Sequence, residues 1–379
     1  MKNFIALPVG QGDAFYLKHN DFSVLIDGGK SAQKLPELFK ENTKTNEVGV
    51  LVCTHNDADH ANGILGFLDS PDLKCNEIWL PGRWLPVLPD VLKPFKEFYD
   101  IFVNDMNSIK NEANIEQNIF EQYADEISIE ISKDTIESAE SMSIPEDGWP
   151  ERYIENLKKD ESWDYSFHNF FKSPEHKFFW PAIHAAERIQ KIALSAYRRR
   201  IPVRWFQYDT KNPFNTSTQL ISINARQISK ITPRYKKFSL LRLLALTVSN
   251  KESLVFWSPQ TTDGHPGILF TADSDLKNAK LPKVDEFHSA IVTAPHHGSE
   301  ANANAYAKVK KAAETHYPSI TWIRSDGDFQ RPGKSYLDPN IKKRFCTLCR
   351  NSKTPKQTVF LSSSKSGWNP LNETASCSC

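Results

Sequence analysis

The sequence predicts an α+β fold: a sandwich of two mostly antiparallel or mixed sheets, flanked by outer helices and interrupted by a large mid-chain insertion. Three observations carry this expectation. Short apolar segments alternate with turn signals over the first 80 residues, and regular strand patterning returns near residue 241 after a long irregular stretch. In both blocks, clusters rich in His and Asp stand directly after apolar strands. The expected plan is a single domain over 1–379, with 81–245 as an inserted region or subdomain and 340–379 as a cysteine-bearing C-terminal extension.

Residues 3–9 and 13–18 read as strands bracketing Gly10-Gln11-Gly12, and FSVLI at 22–26 as a third. Asp27-Gly28-Gly29 is a tight turn into the helical pattern of 31–41. A strand over 48–53 ends at THNDADH, the short helix ANGILGFL follows, and 77–80 is the next strand. Within the insertion, ten acidic residues gather at 121–152 as a solvated stretch, and 184–200 has helical spacing with a basic end. Strands are expected at 203–208, 219–225, 241–248, 253–257, 268–271, 289–293, 319–323 and 358–362, with an Ala-rich helix over 301–315.

Composition narrows the class. With 39% hydrophobic and 25% charged residues the chain has material for a core, which excludes a wholly disordered or fibrous protein. A net charge of +1 means that any anionic partner must be met by local clusters. The opening residues are too polar for a signal peptide, no apolar run reaches membrane-spanning length, and six cysteines are sparse, so a cytoplasmic, reduced protein with no membrane partner is expected.

The strongest chemical signal is Thr54-His55-Asn56-Asp57-Ala58-Asp59-His60, four metal-ligand side chains in six residues after a strand. Asp and His also cap helices, and Asp59 competes for that duty. Asp273, after the strand ILFT, is placed to bridge two cations. His296 and His297 follow another strand; adjacent residues of an extended chain face opposite ways, which gives one to a metal and the other to substrate or leaving group.

Together, THNDADH, LFTADSD and PHHGS, with the opening VGQGDAF and LIDGG, resemble the metallo-β-lactamase fold hydrolases. The similarity is to the branch containing the hydrolase domain of bacterial competence DNA-uptake channel proteins. It covers roughly 1–80 and 245–330 and includes Asn250-x-x-Ser253, so Asn250 joins the substrate-binding candidates. The resemblance implies an αββα sandwich and two divalent ions. His55, Asp57 and Asp273 would hold one; Asp59, His60, Asp273 and one of the paired histidines the other. A hydroxide bridging the ions would attack the substrate, with Asp59 orienting it. His297 is assigned to the metal and His296 to the substrate side.

Asp57 stands where the family has a second histidine, which moves the preference from zinc toward manganese or magnesium. Ala61-Asn62-Gly63 replaces a glycine pair, and Asp338-Pro339 stands where a His-Pro pair is expected. Arg198, Arg199, Arg200 and Arg204 with Trp205, and the basic stretches 230–242 and 342–356, can track a phosphate backbone and stack on bases, although each is also an ordinary solvated segment. The expected function is therefore a metal-dependent phosphodiester hydrolase, a nuclease first. The alternatives are a small-nucleotide phosphodiesterase, an ester or lactam hydrolase, and a non-catalytic protein binding a partner through the insertion. Cys346, Cys349, Cys377 and Cys379 are candidates for a structural zinc, a redox pair or unrelated thiols.

Overall fold

The computed structural model describes residues 1–113, 137–138, 142–159, 180–209, 218–231, 234–235, 253–325, 331–349, 356–372 and 374–377. The chain divides into two compact units. One comprises Met1–Pro81, Phe206–Gln227 and Asn250–Cys379, the other Gly82–Trp205 and Ile228–Ser249.

The first unit holds the candidate site. Its N-terminal strands are β1 (Lys2–Ala6), β2 (Phe15–His19), β3 (Phe22–Ile26), β4 (Glu47–Val52) and β5 (Lys74–Pro81). Next come β6 (Val203–Tyr208, of which Phe206–Tyr208 belong to this unit), β7 (Ile221–Ser222), β8 (Ala225–Gln227), β9 (Phe256–Ser258), β10 (Ile268–Phe270), β11 (Ile291–Thr293) and β12 (Thr321–Arg324). The last are β13 (Lys343–Cys346), β14 (Val359–Ser364) and β15 (Gly367–Leu371). They form two mixed sheets, in the orders β8-β6-β5-β4-β3-β2-β1-β14-β15 and β13-β12-β11-β10-β9-β7.

Period-two alternation builds the interior. Phe4, Phe15, Leu17, Val24, Ile26, Val50 and Val52 of the first sheet pack against Phe256, Ile268, Phe270, Ile291 and Ile323 of the second. On the first sheet's other face, Tyr16 meets Phe39 of helix α1 (Lys34–Thr43), which stacks edge-on against Phe67 of α2 (Ala58–Asp69). The second sheet turns Leu269, Val292 and Trp322 toward Ala305, Tyr306 and Val309 of α3 (Ala303–Ala313). The result is the expected four-layer sandwich of helix, sheet, sheet and helix.

Strand direction is what positions the site. β3, β4 and β5 run parallel, as do β10, β11, β12 and β13. Parallel strands deliver their carboxyl ends to one edge, so the residues just after β3, β4, β10, β11 and β12 gather there.

The other unit contains the helices Leu88–Val91, Phe95–Ala113, Glu151–Lys158 and Trp180–Arg198. Its core packs Trp149 edge-on against Trp205 and Tyr197, and the Trp205 indole donates to the Gly148 carbonyl at 2.7 Å. Short ladders pair Met142–Ser143 with Lys230–Ile231 and Glu137–Ser138 with Arg234–Tyr235. Among the described residues no helix is long and apolar enough to cross a membrane.

Several expected elements differ. The strand expected at 219–225 is two strands, β7 and β8, in different sheets. Ser222 and Asn224 turn the chain between them: the Ser222 hydroxyl accepts the Ala225 amide, and the Asn224 side chain bonds both Ser253 and Val255. Part of the basic stretch 342–356 is the strand β13, where Arg344 donates to the Tyr336 carbonyl at 3.2 Å. The strand expected at 241–248 lies outside the described residues.

Candidate metal centre

Asp27 follows β3, and the loop behind it is held against α2. The Gly28 amide donates to the His60 carbonyl and the Gly63 amide to the Gly29 carbonyl, both at 2.9 Å. A Cβ on Gly63 would stand 1.9 Å from the Gly28 carbonyl oxygen, so only glycine permits this approach. The contact seats the first turn of α2, which carries Asp59 and His60, beside Asp27.

Asp57 occupies the N-cap position of α2 but makes no side-chain capping bond. Asp59 lies within the first turn, so it is not the cap that the sequence allowed. Both carboxylates are thereby left to the cluster. His55 Nε2 lies 3.7 Å from Asp57 Oδ2 and 3.7 Å from Asp273 Oδ2. His297 Nε2 lies 3.6 Å from Asp59 Oδ2 and 3.4 Å from Asp273 Oδ1, and His60 Nε2 is 3.2 Å from that same oxygen.

His296 and His297 both turn toward Asp273, contrary to the extended-chain reasoning. The backbone is not extended: φ is 47° at His296, 54° at His297 and 87° at Gly298. Three successive left-handed residues curl the segment so that neighbouring side chains share a face, a strained geometry for non-glycine residues. His296 Nε2 stands 3.4 Å from Asp273 Oδ2.

Hydrogen bonding fixes how these rings face the cluster. The Thr54 hydroxyl donates to Asp27 Oδ2 at 2.6 Å, so at 2.9 Å it accepts from His55 Nδ1. Asn302 gives its amide to the Asp273 carbonyl at 3.0 Å, which leaves its oxygen to accept from His296 Nδ1 at 3.1 Å. His60 Nδ1 donates to Asp27 Oδ2 at 2.8 Å and His297 Nδ1 to Asp13 Oδ1 at 3.0 Å. All four Nδ1 atoms are thus donors outward, and all four Nε2 atoms point inward at carboxylates.

This donor set fits cations. His55 Nε2 is buried with no hydrogen-bond partner, and His60 Nε2 and His297 Nε2 face each other at 3.2 Å. Two lone pairs at that separation repel unless a proton or a metal ion lies between them. Without a metal, protons take that place. Burial opposes the charge on His297, but Asp13 and Asp273 outweigh it and raise its pKa to about 9. His60 is driven in the same direction against its burial by Asp273 and Asp27. Burial also opposes ionisation of Asp59 and Asp273, yet His60 and His297 hold both carboxyls below the usual range.

The structure therefore brings His55, Asp57, Asp59, His60, Asp273, His296 and His297 into one cluster. It adds Asp13 and Asp27, which were not anticipated, as partners of His297 and His60. Their signal was a carboxylate beside a glycine turn at a strand end, in Gly12-Asp13 and Asp27-Gly28-Gly29. Ser325, just after β12, donates to Asp13 and completes the support. Asp338 is not part of the cluster; it pairs with Lys310 at 3.0 Å.

The other candidates lie elsewhere. Arg198, Arg199, Arg200 and Arg204 belong to the second unit. There Arg198 and Arg200 line a cavity of about 540 Å³ with Trp149, Tyr197 and Lys158. Asn250 and Cys379 lie outside the described residues. Cys346, Cys349 and Cys377 converge with their sulfurs within 4.8 Å of one another.

A family model described as the Metallo-beta-lactamase superfamily matches residues 7–74, the stretch that begins just after β1 and runs through β2, β3, α1, β4 and α2 to the start of β5. No curated protein matches the chain. The matched stretch carries Asp13, Asp27, His55, Asp57, Asp59 and His60, while Asp273, His296 and His297 reach the cluster from beyond it. A buried His/Asp cluster of this composition on this sandwich supports metal-dependent hydrolysis as a general class.

Proposed function

We propose that the chain is a two-metal phosphodiester hydrolase with nucleic acid as its first substrate class. The observation that carries the reading is the division of Asp273. Its Oδ1 faces His60 and His297, whereas its Oδ2 faces His55 and His296. A carboxylate shared in this way suits a bridge between two cations. His55, Asp57 and Asp273 would hold one ion; Asp59, His60, His297 and Asp273 the other. Divalent ions held there supply a nucleophile from water near neutral pH and neutralise charge on phosphoryl oxygens.

The protein's own groups perform the remaining work. Asp59 retains 18% side-chain exposure where His60 and His297 have none, so its carboxylate orients the attacking water at the open side. His296, at 24%, is the most exposed of the four rings. Asn302 fixes its Nδ1 as a donor, so Nε2 is the atom through which the doubly protonated ring would pass a proton to the leaving oxygen, returning to its neutral Nδ1–H form. The first donor set has one imidazole and two carboxylates, the second two of each, which makes the first the harder site and favours manganese there. Binding of a polyanion rests on Arg198, Arg199, Arg200 and Arg204.

The test is turnover of single-stranded DNA, duplex DNA, RNA, a cyclic nucleotide, a bis-aryl phosphodiester and a β-lactam by the manganese- or zinc-loaded chain. Polymer cleavage lost by orders of magnitude in Asp59→Ala, with the fold intact, is the expected result. Turnover of an ester or lactam without any phosphodiester would overturn the reading.

A further inference from the structure

Cys346 ends the edge strand β13 and Cys349 lies three residues on; both are buried, and Cys377 comes from the C-terminal tail. None of the three is in a disulfide. The Cys349 and Cys377 sulfurs are 3.9 Å apart, nearly twice the roughly 2.05 Å of a disulfide bond. A tetrahedral zinc with bonds of about 2.3 Å to sulfur separates its ligand sulfurs by about 3.8 Å.

A buried cysteine is ordinarily a small apolar side chain. Here the surrounding backbone is organised to bring two distant segments together. The Cys377 amide donates to the Arg344 carbonyl at 2.8 Å, docking the tail beside β13. Gln357 joins the same two segments, donating to the Cys346 carbonyl at 3.1 Å and the Ala375 carbonyl at 2.8 Å while accepting the Ala375 amide at 2.9 Å. Cys-Thr-Leu-Cys at 346–349 supplies two sulfurs from one turn, and the tail brings the third onto them.

We propose that Cys346, Cys349 and Cys377 are thiolate ligands of a structural zinc ion that clamps the C-terminal tail to the edge of the second sheet. Zinc suits this site because three soft sulfurs disfavour manganese and magnesium, the ions preferred by the harder His/Asp cluster. A fourth donor completes the tetrahedron. The clamp is independent of the hydrolytic reading, since no cysteine belongs to that cluster.

The direct test is zinc-edge X-ray absorption on the full chain purified with zinc and without reductant. The expected spectrum contains sulfur neighbours at about 2.3 Å, which the nitrogen and oxygen donors of the other cluster cannot supply. Zinc content should fall by one ion per chain in Cys349→Ser, and all six cysteines of the wild type should titrate as thiols after denaturation with chelator. A zinc shell without sulfur overturns the proposal, as does a thiol count short by two, which is the result for a Cys349–Cys377 redox pair. If Cys349→Ser proves insoluble, the wild-type spectrum and thiol count decide.

Discussion

Replacing Asp27 by Asn probes the centre without touching a proposed ligand. Asp27 is fully buried and accepts three hydrogen bonds: the Thr54 amide at 2.8 Å, the Thr54 hydroxyl at 2.6 Å and His60 Nδ1 at 2.8 Å. With the amide nitrogen at the Oδ2 position, a donor meets the two donors of Thr54 and His60. With the amide reversed, it meets the Thr54 backbone N–H instead. Neither orientation satisfies all three, and losing one bond to a charged group destabilises the fold by about 1.5–3 kcal/mol. The alternative is for His60 to move its proton to Nε2, which removes the lone pair needed for a cation. Loss of such an orienting partner lowers metal affinity about 10–100-fold, or about 1.4–2.8 kcal/mol. Competition against a chromophoric chelator reads the affinity and thermal melting reads the fold. An Asp27→Asn protein that melts normally and binds zinc or manganese as tightly as wild type would refute the role given to Asp27.

Four further outcomes are expected. The metal-free chain gains stability from His297, whose folded pKa of about 9 exceeds its ordinary 6.5; that contribution is complete below pH 6.5 and is lost as pH rises through about 9. The same protons compete with metal, so ion uptake must release protons and weaken as pH falls below about 9, which calorimetry in buffers of differing ionisation enthalpy detects; uptake without proton release contradicts it. Gly63→Ala should lower the unfolding free energy by about 1–3 kcal/mol, read as a lower urea midpoint, because its Cβ meets the Gly28 carbonyl; an unchanged midpoint would show that the loop yields freely. Exchanging Arg198, Arg199, Arg200 and Arg204 for Ala should weaken nucleic-acid binding for all sequences alike and flatten its salt dependence, and identical salt slopes would remove these arginines from the substrate path.

The fold was legible in the sequence where periodicity was strong. Strands β1 to β5 and helices α1 and α2 follow from alternation, apolar spacing and glycine turns, and the ligand loop stands out because four donors share six residues. The helix Phe95–Ala113 was not anticipated, although Phe98 and Phe102 are buried four residues apart on one face. Aromatic residues recur on both sides of that stretch and blur its apolar stripe. Strand β13 hides inside a basic segment because an edge strand can leave Lys343 exposed while burying Phe345 and Cys346.

The parts of the centre that sequence reasoning missed are those that violate local rules. A single carboxylate beside glycine reads as an ordinary turn, and nothing in Asp13 or Asp27 alone announces a buried partner for a histidine nearly three hundred or some thirty residues away. The left-handed run at His296 and His297 has no sequence signature at all, since non-glycine residues adopt it only when surrounding structure compels them. Here the compulsion is visible. The His296 amide donates to the Ala272 carbonyl at 2.9 Å, Asn302 ties the His296 ring to the Asp273 backbone, and Asp13 holds His297. Local strain is thus sustained by bonds to three separate segments, and its effect is to present two adjacent imidazoles to opposite oxygens of one carboxylate. An unstrained strand could present only one of them, so the departure from local preference is the same feature that divides Asp273 between two donor sets.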